Sequence, residues 1–98
     1  MFALACRHFQ DQRCDFAVFE AGIGGRYDPV RLVGARTTCI TSVDYEHVEL
    51  LGHSLALIVS DKSDACASGG TIVVGENCRQ LRPHLTEYLR YREVSTLF

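Results

Sequence analysis

Apolar residues gather in short runs along this chain, and the spacing within each run predicts its element. Phe2, Leu4, Ala5 and Phe9 fall on one face of a helix over residues 2–12. From Asp15 to Glu20, four consecutive apolar residues stand between acidic ends, the pattern of a buried strand. Ala21-Gly22-Ile23-Gly24-Gly25-Arg26 is a glycine-rich loop, and Tyr27-Asp28-Pro29 marks a turn. Thr37 to Ser42 is rich in β-branched residues and predicts a second strand. Val43 to His53 reads as a mostly polar loop. Ser54 is placed to cap a helix over roughly 55–67, which Gly69-Gly70 would stop. Thr71 to Gly75 predicts a third strand, Arg79 to Arg92 a helix with Pro83 in its first turn, and Val94 to Phe98 the start of a fourth strand.

This alternation predicts an α/β fold, a three-layer arrangement of a parallel sheet with flanking helices. Neither a repeat nor an interdomain linker interrupts it. A sheet of three or four strands with two exposed edges is thin for a stand-alone α/β domain, so residues 1–98 read as a slice of a larger one.

Composition narrows the classes. With 47% hydrophobic and 22% charged residues, the chain is neither a disordered tail nor a low-complexity linker. No apolar run approaches the about 20 residues of a membrane span. Met1 to Cys6 lacks a basic start, and Arg7-His8 follows too soon for a signal peptide. The expectation is a soluble, cytoplasmic protein, unless the chain has been cut from something longer. The net charge is −2, with no dense basic stripe, which argues against nucleic acid as a partner. Residues 79–98 carry four bases and two acids and read as a solvated helix face. Nine of the ten bases are arginine, so Lys62 is the sole lysine. The five cysteines are odd in number and contain no C-x-x-C, which disfavours zinc and a disulfide framework. They read as reduced, mostly buried small hydrophobes in a reducing cytosol.

Three segments could carry chemistry. In Glu20 to Asp28, a carboxylate at the carboxyl end of a strand precedes glycines that let a backbone approach a ligand closely. The same residues also read as a plain turn with a solvated glutamate. A dinucleotide fingerprint is excluded, because Tyr27 stands where its last glycine belongs and Pro29 and Gly34 leave no room for the crossover helix. A G-x-x-x-x-G-K-[ST] phosphate loop is also missing. Next, Asp44, Glu46, His47 and Glu49 offer three carboxylates around an imidazole, suited to a hard divalent ion, or form a polar surface loop with an incidental histidine. Finally, Lys62 lies about two turns into its helix and reads by itself as part of a solvated face.

Together these segments resemble the central, P-loop NTPase-like domain of the Mur ligase family, most of all its dihydrofolate synthase/folylpolyglutamate synthase branch. That branch carries motifs similar to E-V-G-L-G-G-R-x-D, I-T-x-I-x-x-D-H-x-x-x-L-G-x-T and I-A-x-E-K-A-G. Here Glu20 to Asp28 reads E-A-G-I-G-G-R-Y-D, Ile40 to Ser54 reads I-T-S-V-D-Y-E-H-V-E-L-L-G-H-S, and Ile58 to Asp64 reads I-V-S-D-K-S-D. The motifs occur in the family's order, and the match covers roughly residues 15–76.

The resemblance implies part of an ATP-dependent amide-bond ligase that joins an amino acid, glutamate in this branch, to a folate-type carboxylate through an acyl phosphate. It implies Mg²⁺, with Glu20 and His47 as metal ligands. It implies that Lys62 is the lysine carbamylated in the family, a carboxylate near a second Mg²⁺. His47 and Lys62 thus take catalytic roles, and Gly22, Gly24, Gly25 and Arg26 line the nucleotide side. Implied substrates are ATP, glutamate and a folate-type acceptor. The family's phosphate loop and C-terminal ligase domain are missing from the match, so missing segments or a partner chain would have to supply the loop. Glu46 replaces the family's aspartate and Asp64 its glycine; Arg31 stands where an asparagine is frequent, and Ala67, Ser68 and Thr71 replace a basic residue and prolines. Asp64 would either repel a carbamate on Lys62 or itself face the metal. The alternative is a non-catalytic remnant or interaction module of the same fold.

Overall fold

The computed structural model describes residues 1–98. Helix α1 (Phe2–Asp11) packs its apolar face on Phe19, whose ring lies 5.6 Å from Phe2 and 5.4 Å from Phe9. The chain then runs through residues 15–20 without joining the sheet, correcting the strand expected there. Extended chain becomes a strand only through a neighbour, and none of these residues makes a backbone hydrogen bond. Phe16 and Val18 are 94% and 92% exposed.

Strand β1 (Ala35–Ile40) begins and ends two residues earlier than expected. It ends where the Gly75 N–H donates to the Ile40 carbonyl at 2.8 Å. The stretch read as loop includes one short helix, α2 (Val48–Leu51). Helix α3 (Leu55–Ser63) starts as expected, with the Ser54 hydroxyl accepting the Leu57 N–H at 3.2 Å. It stops four residues early, because strand β2 (Cys66–Val74) begins at once by pairing Cys66 with Ala35.

Gly69-Gly70 therefore stop no helix; they form an irregularity inside β2. The register jumps from Ala35↔Cys66 to Thr37↔Thr71, with Gly69 at φ +75°. A Cβ on Gly70 would stand 2.7 Å from the Arg36 carbonyl, so the bulge needs glycine. The long helix expected over 79–92 is split. A 3-10 turn (Glu76–Leu81) leads into α4 (Arg82–Leu89), with Pro83 in its first turn, and a second 3-10 turn (Arg90–Arg92) precedes β3 (Ser95–Leu97).

The sheet is parallel throughout, in the order β1-β2-β3. Helices α3 and α4 cover it through Val59, Leu85 and Leu89, which meet Ile40, Ile72 and Val74 in the core. The fold is thus α/β, a parallel sheet with flanking helices. All five cysteines are free thiols, but only Cys66 and Cys78 are buried. Cys14 and Cys39 are exposed, which corrects the reading of the set as mostly buried. Burial pushes the Cys78 thiol above its ordinary pKa. No helix is long and apolar enough to cross a membrane.

Candidate functional site

Asp28 folds the glycine-rich loop on itself. Its carboxylate accepts the N–H groups of Gly22 (2.9 Å) and Ile23 (3.3 Å) on one oxygen and of Val30 (3.0 Å) on the other, capping a 3-10 turn (Pro29–Val33). Burial works to raise the Asp28 pKa, but the three backbone donors outweigh it and hold the carboxyl below its ordinary value.

At its far end the loop meets α3. The N–H groups of Gly25 and Arg26 both donate to Asp61 Oδ1, at 3.0 and 3.2 Å. Gly24 has φ +61°, and a Cβ there would stand 2.2 Å from Asp61 Oδ1. A Cβ on Gly25 would lie 2.6 Å from the Lys62 carbonyl.

The Arg26 side chain turns away from the loop. Its Nε donates to Asp64 Oδ2 at 2.7 Å and its Nη2 to the Tyr88 hydroxyl at 2.9 Å. Arg92 Nη1 donates to Asp64 Oδ1 at 2.8 Å, and Arg92 Nη2 to the Cys66 carbonyl. The Asp64 carboxylate keeps Arg26 still further above its ordinary pKa, against the opposing effect of burial. Asp64 is therefore committed to Arg26, Tyr88 and Arg92.

A cavity of about 720 Å³ opens where β1 ends, between residues 16–22 and the sheet. Glu20, Gly22, Gly24, Thr41, Glu46 and Lys62 stand on its wall. This is the carboxyl end of a parallel strand, where open α/β sheets bind ligands. Lys62 and Glu46 form an ion pair in which the Lys62 side chain is 23% exposed. The Lys62 ammonium holds the Glu46 carboxyl below its ordinary pKa. His47 does not line this cavity. It is exposed at φ 45°, and its carbonyl starts α2 by accepting the N–H groups of Leu50 and Leu51. No three His, Cys, Asp or Glu side chains converge as a metal-ligating group, so Asp44, Glu46, His47 and Glu49 do not form one.

Of the residues singled out in the sequence, Glu20, Gly22, Gly24 and Lys62 thus share one cavity, while Gly25 is buried against α3 and Arg26 and His47 point elsewhere. Beside the Lys62 amine and the Cys39 thiol, the wall offers an oxygen set, the carboxylates of Glu20 and Glu46 and the Thr41 hydroxyl. Such a set fits Mg²⁺, which takes one or two carboxylates and keeps several waters. Asp61, Tyr88 and Arg92 escaped sequence reasoning. Asp61 stood in view as the acid before Lys62, whereas Tyr88 and Arg92 lie 24 and 28 residues from their partner Asp64, with no local signal.

No protein-family profile matches the chain. It is 35% identical over 74 residues to the dihydrofolate synthase/folylpolyglutamate synthase of Bacillus subtilis, an alignment covering 74% of this chain and 17% of that protein. Its fold superposes on an FPGS–AMPPCP–folate complex with a TM-score of 0.86 at 27% identity, covering 97% of this chain and 23% of the other. It superposes on Escherichia coli FolC in complex with DHPP and ADP with a TM-score of 0.69 at 25% identity, over 79% of this chain and 18% of FolC. The chain thus spans about a sixth to a quarter of these three proteins. By shared sequence and shared fold it belongs to the dihydrofolate synthase/folylpolyglutamate synthase branch of the Mur ligases.

Proposed function

We propose that residues 1–98 form part of the central domain of a cytoplasmic, ATP-dependent ligase that joins glutamate to a folate-type carboxylate. The observation that carries this reading is the cavity at the carboxyl end of β1, where Glu20 and the Lys62–Glu46 pair share a wall with Gly22 and Gly24. Relatives named for folylpolyglutamate synthesis, and a related structure holding an ATP analogue with folate, support the substrate class.

In the proposed reaction, an acceptor carboxylate attacks the γ-phosphorus of ATP, giving an acyl phosphate and ADP. The glutamate amine then attacks the acyl carbon, phosphate leaves, and an amide forms. Glu20, Glu46 and Thr41 would hold Mg²⁺, whereas His47, exposed outside the cavity, would join them only if the start of α2 moved. When bound, the ion would neutralise charge on the phosphates. Lys62 serves the same region. As an ammonium it faces negative charge directly, and as a carbamate, formed when the neutral amine adds to CO₂ and loses a proton, it offers a carboxylate instead. That second form requires Lys62 to leave Glu46. Gly22 lets the backbone approach the nucleotide side. The chain has no G-x-x-x-x-G-K-[ST], so the phosphates of ATP would be gripped by a further segment or a partner chain. The unpaired edge of β1 favours a second reading, a non-catalytic module that pairs with another polypeptide.

The native protein, captured from its source cells with an antibody against residues 79–98, tests the first reading. The capture should convert a folate-type acceptor in an ATP- and glutamate-dependent manner, and Glu20→Ala and Lys62→Ala should each remove most of that conversion. Conversion indifferent to both variants would refute the assigned roles, and a capture without conversion would favour the module.

A further inference from the structure

We propose that Asp61 is a positioning residue: it clamps the glycine-rich loop to α3 and so fixes Glu20 relative to Lys62. The roles of Glu20 and Lys62 rest on the ligase reading above, whereas the clamp itself does not. Asp61 is only 4% exposed and has no ion-pair partner. A buried carboxylate without a cation is costly unless donors satisfy it. Here two consecutive loop N–H groups, those of Gly25 and Arg26, converge on one of its oxygens. Such charge-assisted bonds are roughly twice as strong as neutral ones.

The glycines complete the clamp. Side chains at 24 and 25 would collide with Asp61 and with the Lys62 carbonyl, so the loop lies directly on the turn of α3 that carries Lys62. Gly24 and Gly25 therefore serve contact with α3, while Gly22 and Gly24 border the cavity. Glu20 makes no hydrogen bond or ion pair through its side chain. A loop with three glycines would otherwise wander. Its anchors are Asp28 within the loop, Asp61 on α3, and Asp64, which holds the Arg26 side chain at the loop's end. Because Asp61 faces the loop and Lys62 faces the cavity, one helical turn sets both halves of the site.

Amide NMR on the 98-residue protein, with Mn²⁺ as a paramagnetic probe, tests the clamp. Asp61→Asn keeps the shape and removes the charge. The Gly25 and Arg26 amides should then exchange about tenfold faster relative to the Ile72 amide. In the wild type, Mn²⁺ should broaden amides near Glu20 and near Lys62 at the same concentration. In the variant the Lys62 region should require about tenfold more. Unchanged exchange overturns the proposal. Faster exchange with unchanged broadening also overturns it, since Asp61 would then be merely structural. If Mn²⁺ broadens nothing near Glu20 in the wild type, the metal role in the ligase reading fails, and the exchange rates alone decide the clamp. Should Asp61→Asn not fold, Asp61→Ser replaces it with the same expectations.

Discussion

Gly25 shows how much can depend on a missing side chain. Its Cβ would stand 2.6 Å from one backbone carbonyl of α3 and 2.9 Å from another, and neither can yield without moving the helix. Gly25→Ala should therefore cost about 2 kcal/mol, within the range for overpacked sites, read as a fall in the urea midpoint. Asp28 acts through charge. Its pKa is lowered on folding, so its stabilisation is fully present above the unfolded value of 3.8 and is lost as pH falls through the lower folded value. The difference in urea midpoint between wild type and Asp28→Ala should hold steady at neutral pH and shrink below pH 3.8. The sequence made Glu20, Gly22 and Lys62 legible because their motifs are local. Asp64 was misjudged because its partners come from α4 and the turn beyond it, which no local pattern announces.

At the scale of elements, local signals succeeded where the element holds itself together. The Ser54 cap, the apolar run of α3 and Pro83 at the start of α4 were all readable, since each acts within a turn or two. Residues 15–20 failed for the opposite reason. Their composition is that of a strand, but a strand needs an adjacent partner, and a cavity borders them instead. Gly69-Gly70 likewise could not reveal from sequence that they would bulge within β2 rather than end α3. Between helices and sheet, Leu85 is the tightest test, being fully buried where α4 meets the core. Leu85→Ala should cost about 2–5 kcal/mol, with little change in the denaturant slope, measured by urea unfolding.

Across the whole molecule, Asp64 joins parts that are far apart in sequence. Its carboxylate holds Arg26 of the loop, Tyr88 of α4 and Arg92 before β3, and Arg92 also bonds the Cys66 carbonyl where β2 begins. Removing the carboxylate leaves two guanidinium groups without their anion. Asp64→Ala should cost about 3 kcal/mol, at the low end for a broken buried pair because Arg26 is about a third exposed. Calorimetry would show a lower Tm with one transition, since the network spans the fold. Two separate transitions would show that the loop and the C-terminal part melt independently.

The solitary lysine has a consequence for how the protein can be cut. A protease specific for lysine has one site in the chain, after Lys62, at the last turn of α3 and on the wall of the cavity. Its scissile bond is fixed in a helix, and Glu46 occupies the side chain the protease must grip. Each cleavage therefore records one opening of that turn, local or global, and a single digestion time course reads the openings that expose the candidate site.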